Sequence, residues 1–275
     1  MNLKKLNKKK IIINGSNSFI AKSIKANLEK KYNCIYFDRN TNLKDKKLIN
    51  LYKDKIYAIL NLSFITPRDK NLSQHIIINK NIKLTKKIIS FSKIVSPKKF
   101  INFSSMAVYS EKSGNYDELS PTNCEDNKDS IYGISKLISE KIISSMLIDT
   151  NIQILHLRIS QVYGPKLNIM RIIPQMILEL KNYNTITVFN QGERVSNFTN
   201  IIFLLKVLNF FLIKKYFGIY NIGEENISYK KLAKKIIKIY GNSTSKILYK
   251  SNEILTNKFY LNTKKLIKII KNEKK

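Results

Sequence analysis

Cysteine and histidine are scarce in this 275-residue chain. The two cysteines, Cys34 and Cys124, provide no disulfide framework and no metal-ligand spacing. The two histidines, His75 and His156, have no carboxylate, cysteine or second histidine at ligand spacing, so we interpret each as a surface or core residue. This scarcity argues against a disulfide scaffold and against a metal centre, and it is typical of a reducing cytoplasm.

Long hydrophobic runs are also missing. The longest, residues 201–213, is interrupted by Lys206 and Asn209 and is too short to span a bilayer. The basic N-terminal segment leads into a short apolar run at Ile11 and then into a glycine turn, which predicts a strand and not a signal peptide. We therefore expect a cytoplasmic protein without a transmembrane segment.

Acidic residues number 19 against 50 lysines and arginines, which gives a formal net charge of +31. Only five of the basic residues are arginine, and the lysines are spread along the whole chain. Scattered lysines indicate solvated faces and not a groove-reading patch, so we predict no specific nucleic-acid partner. A basic surface would still steer an anionic substrate toward the protein. The lysine-rich ends, 4–10 and 264–275, are compatible with an anionic membrane surface without requiring one.

The stretch 129–143 predicts a helix with a tyrosine and a lysine on one face. Asp129 or Ser130 would cap it, and apolar residues recur at helical spacing from Ile131 to Ile143. Tyr132 and Lys136 are four residues apart and therefore lie about one turn from each other. An ammonium beside a phenol lowers the pKa of the phenol, as an acid-base tyrosine near neutral pH requires.

Two further motifs accompany this helix. Upstream, an apolar strand ends at Phe103 and is followed by the hydroxyl pair Ser104-Ser105, where open parallel sheets place their ligands. Downstream, a strand from Leu157 runs into the turn Tyr163-Gly-Pro. The order Ser-Ser-x-x-Val-Tyr, Tyr-x-x-x-Lys and Leu-Arg-x-x-x-Val-Tyr-Gly-Pro resembles the extended short-chain dehydrogenase/reductase family. Its members include NAD-dependent epimerases, dehydratases and reductases of nucleotide sugars.

The resemblance covers the chain from about Lys10 to Gly223. Alternating helical and strand-like runs already predict an α/β fold with a parallel sheet. The family implies more: a Rossmann-type doubly wound parallel sheet with a small C-terminal substrate lobe. Residues 1–165 would form the NAD(P)-binding domain and residues 166–275 the lobe, with a strand at 219–222 returning to the sheet.

The family also implies catalytic roles. Tyr132 would be the general acid/base, Lys136 would lower its pKa and bind the nicotinamide ribose, and Ser105 would hydrogen-bond the substrate oxygen. Ser104 is excluded from that role. Asn81 would support a proton relay, or it is one more exposed asparagine in an asparagine-rich chain.

The cofactor turn departs from the family pattern Thr-Gly-x-x-Gly-x-x-Gly. Gly15 follows the first strand, but Asn14, Ser18 and Ala21 replace the threonine and the last two glycines. The Ser18 hydroxyl would bind a phosphate oxygen in compensation, or dinucleotide affinity would be reduced. The implied cofactor-binding residues are Gly15, Ser18, Phe19, Ile20, Asp38, Arg39, Leu62 and Ser63, with Tyr132 and Lys136.

Asp38 ends the second strand about twenty residues after this turn, where a carboxylate accepts from the ribose hydroxyls of NAD. Arg39 could instead pair with the 2′-phosphate of NADP, and a plain turn aspartate is the third interpretation. We favour NAD. Between Asp38 and Lys55 the sequence shows one short helical segment and no strand, so this half of the sheet is expected to be abbreviated.

On the substrate side the family pattern reads Gly-x-Gly-x-x-x-Arg-Asp-Phe. Gly192 and Phe198 remain here, but Ser196 stands at the arginine that commonly contacts the nucleotide diphosphate. Arg194, two residues earlier, would take over that contact, or the substrate binds differently. The implied substrate-binding residues are Ser105, Met106, Gln161 and Arg194.

The reaction is narrowed by the residues after Ser105. Family dehydratases carry an acidic pair there, whereas this chain has Met106 and Ala107, so dehydration is not expected. The small lobe favours a reductase of a 4-keto-6-deoxysugar, and an NDP-sugar 4-epimerase is the alternative. A non-catalytic dinucleotide-binding protein is a third reading, prompted by the altered glycine turn. Many relatives dimerise through the helices that carry Asn81 and Tyr132, so a homodimer is compatible with the resemblance.

Overall fold

The computed structural model describes residues 8–66, 73–127, 130–167, 170–251 and 256–273. Helices and strands alternate singly as far as residue 105, and after it each helix in these ranges is preceded by two strands. The helices are α1 (Phe19–Lys31), α2 (Lys46–Tyr52), α3 (Gln74–Val95), α4 (Ser130–Met146), α5 (Ile172–Tyr183), α6 (Ile201–Ile213), α7 (Tyr229–Tyr240) and α8 (Lys264–Asn272). The strands are β1 (Lys10–Asn14), β2 (Asn33–Phe37), β3 (Ile56–Asn61), β4 (Lys99–Ser105), β5 (Gly114–Tyr116), β6 (Gln153–Ile159), β7 (Gln161–Tyr163), β8 (Thr185–Phe189), β9 (Val195–Asn200), β10 (Gly218–Ile222), β11 (Glu225–Ser228), β12 (Lys246–Lys250) and β13 (Phe259–Leu261).

A six-stranded parallel sheet in the order β10-β6-β4-β3-β1-β2 forms the centre of the protein. Its strands are apolar on both faces, because successive side chains point to opposite sides and both sides are covered. Ile11 and Ile13 pack toward α1, α6 and α8, whereas Ile12 packs toward α2, α3 and α4. The predicted α/β, doubly wound parallel sheet is confirmed.

Several predicted boundaries agree with the structure and a few are wrong. Within residues 8–66, α2 is the element between Asp38 and Lys55 and no strand lies there, as expected. β4 continues through Ser105 instead of ending at Phe103, because Ser104 and Ser105 still pair with Arg158 and Ile159 of β6. One predicted position, the Asp129 cap of α4, lies outside the described residues.

The turn at Tyr163 does not end a strand of the central sheet, contrary to expectation. β6 stops at Ile159, and Tyr163 belongs to the separate strand β7, which pairs in parallel with β9 in a three-stranded sheet. Helices α5 and α7 pack on strands β8, β9 and β11 around a core of their own. β10 lies beside β6 in the central sheet, at the position predicted for residues 219–222. A domain division at residue 165 stays a prediction.

A row of polar side chains crosses the middle of the central sheet. Asn14 donates to Asn61 at 2.9 Å, and Asn61 donates to Asn102 at 3.0 Å. The Asn102 amide nitrogen lies 3.2 Å from Nδ1 of His156, whose Nε2 lies 3.0 Å from the Ser144 hydroxyl. Burial lowers the pKa of His156 to about 4, so the imidazole is neutral near pH 7. His156 is therefore a core histidine, whereas His75 is exposed.

Candidate active site

Gly133 brings the tyrosine helix against the serine motif. A Cβ at this position would lie 2.2 Å from the Ala107 carbonyl oxygen and 2.8 Å from the Cys124 side chain, so only glycine permits the contact. Ala107 lies in the 3-10 turn Met106–Val108 that follows β4 directly. Helix α4 therefore approaches the end of β4 closely, and Tyr132, next to Gly133, is held beside the turn that Ser105 begins.

The two serines at the end of β4 have different partners. The Ser104 hydroxyl donates to the Glu140 carboxylate, so it is engaged in the core, and its exclusion from the site stays a prediction. The Ser105 hydroxyl oxygen accepts from the Ala107 amide at 3.1 Å. Because a hydroxyl has one donor besides its acceptor lone pairs, Ser105 retains a proton that it could donate to a substrate oxygen.

Lys136 is buried beneath two aromatic rings. Its ammonium donates to the Phe103 carbonyl at 2.7 Å and lies 5.7 Å from the centre of the Tyr132 ring. The ring of Phe64, in the loop after β3, is closer, with its centre 3.9 Å from the same nitrogen. Tyr132 and Phe64 meet edge to face at 5.4 Å. Nothing in the local sequence around Phe64 distinguishes it from a core aromatic, so its place in the site is not predictable from the sequence.

Burial lowers the pKa of Lys136 to about 7, although Glu140, one turn further along α4, works in the opposite direction. An ammonium is disfavoured in a low-dielectric interior, which accounts for the direction of the change. Near neutral pH the group is therefore close to the midpoint of its titration. Its electrostatic influence on Tyr132 depends on pH across the physiological range.

We expect Lys136→Met to alter how stability depends on pH. Between pH 7 and 10.5 the unfolded chain binds more protons at Lys136 than the folded one, so the stability of the wild type rises with pH there. The slope approaches about 1.4 kcal/mol per pH unit, or about 2 kcal/mol from pH 7.5 to 9.5. Urea unfolding of both proteins at these two pH values measures it. Equal pH dependence in the two proteins would contradict a lowered pKa.

A buried ion pair between Arg158 and Glu140 lies next to the catalytic candidates. Arg158 on β6 donates from Nε to Glu140 Oε1 at 3.1 Å and from Nη2 to Oε2 at 2.8 Å. Burial raises the pKa of Glu140, but the Arg158 hydrogen bond and charge outweigh it, so the pKa lies below its usual value. Arg158 also donates to the Tyr109 hydroxyl at 2.9 Å. The pair ties α4 to β6 and, through Ser104, to β4.

The turn after β1 forms a close cradle with the turn after β3. Gly15 has φ +95°, and a Cβ there would lie 2.5 Å from the Ser63 amide nitrogen and 2.7 Å from the Leu62 carbonyl carbon. Among the described residues, the buried Ser63 hydroxyl is one of the few polar side-chain atoms without a hydrogen-bond partner. The first turn of α1, with the amides of Phe19 and Ile20, begins at this cradle. An anionic ligand fits such donors at a helix N-terminus.

Ser18 is the N-cap of α1, since its hydroxyl accepts from the Ala21 amide at 3.2 Å. This contact gives a structural reason for a serine where the resemblance expects glycine. This cap differs from both sequence-based interpretations of Ser18, a phosphate ligand and a loss of dinucleotide affinity. Serine before an apolar-periodic run is a common N-cap signal, so the sequence contained the information.

We expect Ser18→Ala to destabilise the protein by about 1 kcal/mol and Ser18→Gly by only a few tenths, because glycine is itself a tolerated N-cap. Urea unfolding measures both changes. Titration with NAD accompanies it: if the hydroxyl only caps the helix, Ser18→Gly binds NAD at least as tightly as wild type. Weaker NAD binding by the glycine variant would assign the hydroxyl to the ligand.

Asp38 and Arg39 are both engaged in local contacts. Asp38 Oδ1 accepts from the amides of Asn40 and Thr41, each at 2.9 Å, and from the Thr41 hydroxyl at 3.0 Å. These bonds, the Thr41 hydroxyl first among them, lower the pKa of Asp38. Arg39 donates to the Phe64 carbonyl at 2.9 Å. Among the described residues these three hydrogen bonds use one oxygen of the aspartate, which leaves Oδ2 available to a ribose hydroxyl.

Asn81 on α3 is buried and forms two hydrogen bonds with the loop after β3. Its amide oxygen accepts from the Ile65 nitrogen at 2.8 Å, and its amide nitrogen donates to the Ile65 carbonyl at 3.0 Å. With 1% of its surface exposed, it is not an exposed asparagine, so that alternative is wrong. Its observed contacts fix the loop that carries Phe64.

Two of the expected substrate residues, Gln161 and Arg194, lie in or next to strands β7 and β9. Gln161 donates to the Ser196 hydroxyl at 2.8 Å, so the serine that replaces the family arginine is bound within the protein. Arg194 lies directly before β9, two residues from Ser196, with its guanidinium 5.6 Å from the centre of the Tyr229 ring. Met106 lies in the turn after Ser105 and packs on a small core that includes Val108.

Across the described ranges, no three histidine, cysteine, aspartate or glutamate side chains are grouped so that they could hold a metal. In the same ranges, every helix falls short of the length and apolar character that crossing a membrane demands.

The family is shown by comparison with known proteins. The model of the NAD dependent epimerase/dehydratase family matches residues 11–223, so the chain belongs to that family of enzymes. A dTDP-D-glucose 4,6-dehydratase of Dictyostelium discoideum is 30% identical over 211 residues. That match covers 72% of this chain and 49% of the Dictyostelium protein, so the chain spans about half the length of this relative.

Solved structures of similar fold cover nearly the whole chain. A UDP-N-acetylglucosamine 4-epimerase from Methanobrevibacter ruminantium M1, in complex with UDP-N-acetylmuramic acid, has a TM-score of 0.80 at 19% identity and covers 96% of this chain and 92% of its own. A UDP-glucuronic acid 4-epimerase from Bacillus cereus, in complex with UDP-glucuronic acid and NAD, has a TM-score of 0.76 at 22% identity, with 95% and 93% covered. These likenesses confirm the Rossmann-type fold.

Proposed function

We propose that this protein is an NAD-dependent oxidoreductase that transfers a hydride at the 4-keto carbon of a nucleotide-linked 6-deoxyhexose. The observation that carries the proposal is the approach of α4 to the end of β4, which gathers Ser105, Tyr132 and Lys136 at one edge of the sheet. Ligands of open parallel sheets bind at that edge.

The residues present fit a dinucleotide. Gly15 leaves room where a side chain would collide with the Ser63 backbone, and the Ser63 hydroxyl and the first amides of α1 are donors suited to phosphate oxygens. Asp38 favours binding of the NAD ribose. The Arg39 guanidinium is bound to the Phe64 carbonyl, which argues against a contact between Arg39 and the 2′-phosphate of NADP. A bound nicotinamide cofactor supplies the hydride chemistry, and the protein supplies position and field.

The residues of this chain would carry out the proton transfer to the substrate. The Tyr132 hydroxyl would donate its proton to the substrate oxygen as the carbonyl becomes an alcohol. The Ser105 hydroxyl would donate a hydrogen bond to the same oxygen and so hold it near Tyr132. When protonated, Lys136 would stabilise the phenolate that remains, because an opposite charge nearby favours the ionised form.

A nucleotide sugar is supported as the substrate class from two directions. The relatives and neighbours of this chain are named as enzymes of dTDP- or UDP-linked sugars. The formal charge of +31 would attract a diphosphate by long-range steering. On the protein, Arg194 is the cation nearest in sequence to Ser196 and is proposed to contact the diphosphate.

Dehydration is not proposed, although the Dictyostelium relative is named a dehydratase. Met106 and Ala107 follow Ser105, and neither side chain has an acid or base that could eliminate water. A 4-epimerase would need the same serine, tyrosine and lysine, and both structural neighbours described above bear that name.

The test is a panel of nucleotide sugars, 4-keto forms included, incubated with NADH or NAD and followed by absorbance at the NADH band and by product NMR. Stoichiometric NADH consumption with reduction of a 4-keto sugar is the expected result. Interconversion of sugars without net consumption would identify the epimerase instead. Tight NAD binding with no conversion of any sugar would indicate a non-catalytic dinucleotide-binding protein and overturn the proposal.

A further inference from the structure

The Phe64 ring contacts both Lys136 and Tyr132, the two groups that would take part in proton transfer. Its centre is 3.9 Å from the Lys136 nitrogen, and it meets the Tyr132 ring edge to face, with the planes 87° apart. An ammonium has three N–H donors, and one of those of Lys136 is taken by the Phe103 carbonyl. The Phe64 face covers the nitrogen on a side where water would otherwise solvate it.

The backbone on both sides of Phe64 is fastened by three different elements. The Leu62 amide donates to the Asn14 carbonyl at 2.8 Å at the end of β1. The Phe64 carbonyl accepts from Arg39, which follows β2. The two hydrogen bonds between Ile65 and Asn81 add a clamp from α3. The loop therefore holds the ring on Lys136 instead of letting it turn into solvent.

We propose that Phe64 is a positioning residue: its ring keeps water from the Lys136 ammonium and braces the Tyr132 ring, and so sets the protonation state of the pair. This role goes beyond the proposed function and rests on it only where turnover is concerned. The effect on Lys136 itself is a property of the protein alone.

The charges around Lys136 favour this assignment. Glu140 faces it from the same helix, but that carboxylate is paired with Arg158 of β6 and accepts from Ser104 of β4. The Glu140 charge raises the pKa of Lys136, but burial acts more strongly in the opposite direction. Access of water past the Phe64 ring is therefore the main variable left, and burial is indeed the largest cause of the lowered pKa.

The experiment follows the 13Cε signal of Lys136 against pH in the cofactor-free protein, with the signal assigned by its absence from Lys136→Arg. The variants are Phe64→Ala, Phe64→Ser and Phe64→Leu, with Phe189→Ala on β8 as an exposed control. We expect the alanine and serine variants to raise the pKa of Lys136 by about one unit or more, because water then reaches the ammonium. Leucine excludes water but has no π face, so its pKa should stay within about half a unit or fall. Phe189→Ala should not move it.

An unchanged Lys136 pKa in either small variant that folds, as judged by circular dichroism, would overturn the proposal. The same upward shift in Phe64→Leu would also overturn it, since bulk alone would then not protect the ammonium. With an active substrate, the pH profile of kcat/KM for Phe64→Ala should shift by the same amount as the Lys136 pKa. Because the titration needs neither cofactor nor substrate, it decides the role of Phe64 even if the proposed activity fails.

Discussion

Tyr132→Phe is expected to lower turnover by about 10²–10⁴-fold while leaving dinucleotide affinity unchanged. The substitution removes the one hydroxyl proposed to exchange a proton with the substrate oxygen. It keeps the ring that contacts Phe64 and that lies 5.7 Å from the Lys136 nitrogen. Steady-state kinetics with the active sugar and titration with NAD measure the two quantities separately.

The matched control is Tyr183→Phe, at the exposed end of α5. This variant loses the same hydroxyl from a tyrosine far from the proposed chemistry and should retain full turnover. Unchanged kcat in Tyr132→Phe would remove the tyrosine from its role. A loss of NAD binding equal to the loss of turnover would instead make Tyr132 a ligand of the cofactor and not an acid.

Glu140→Ala is expected to destabilise the fold by about 3–5 kcal/mol, because it leaves the Arg158 cation buried without its partner. The side chains of Glu140 and Arg158 are only 3% and 4% exposed, so water does not replace the lost carboxylate. Urea unfolding measures the change. Turnover should also fall, because the pair ties the helix that carries Tyr132 and Lys136 to β4 and β6.

Two comparisons separate the burial of this pair from its charge. Glu225→Gln breaks the exposed contact with Lys235 and should change stability by less than about 1 kcal/mol. The double variant Glu140→Met with Arg158→Met should recover most of the stability lost in Glu140→Ala, since no unpaired charge remains. A double variant as unstable as the single one would show that packing, and not the orphaned cation, accounts for the loss.

Much of the central sheet could be predicted from the sequence. β1 and β3 are uninterrupted apolar runs buried on both faces, and such runs identify strands of a parallel sheet. The short strands β5, β7 and β13, three residues each, carry too little periodicity to be recognised, and they form only because distant segments pair with them. For this reason the sequence does not show that Tyr163 belongs to a strand of its own.

Part of the candidate site, like part of the sheet, could be predicted from the sequence. Tyr132 and Lys136 share a helix, so their spacing alone places them together, and Ser105 follows from its position near a strand end. The partners of Ser104 and Glu140 depend on how α4, β4 and β6 pack, and no local pattern fixes that. Phe64 acquires its position from contacts made by three other segments. Asn14 and Asn61 each close an apolar run at the end of a strand, which the sequence shows, whereas Asn102 lies in the middle of β4 and its alignment with them depends on strand pairing.

The asparagine row also constrains how the chain can assemble. Asn14, Asn61, Asn102 and His156 are direct cross-strand neighbours, so a shift of any one strand by a single residue would turn its polar group to the opposite face. Each shifted alignment would bury one of these polar side chains among apolar groups without a hydrogen-bond partner. An apolar sheet rich in isoleucine offers many strand registers of similar energy. These four side chains favour the one register in which all of them are hydrogen-bonded.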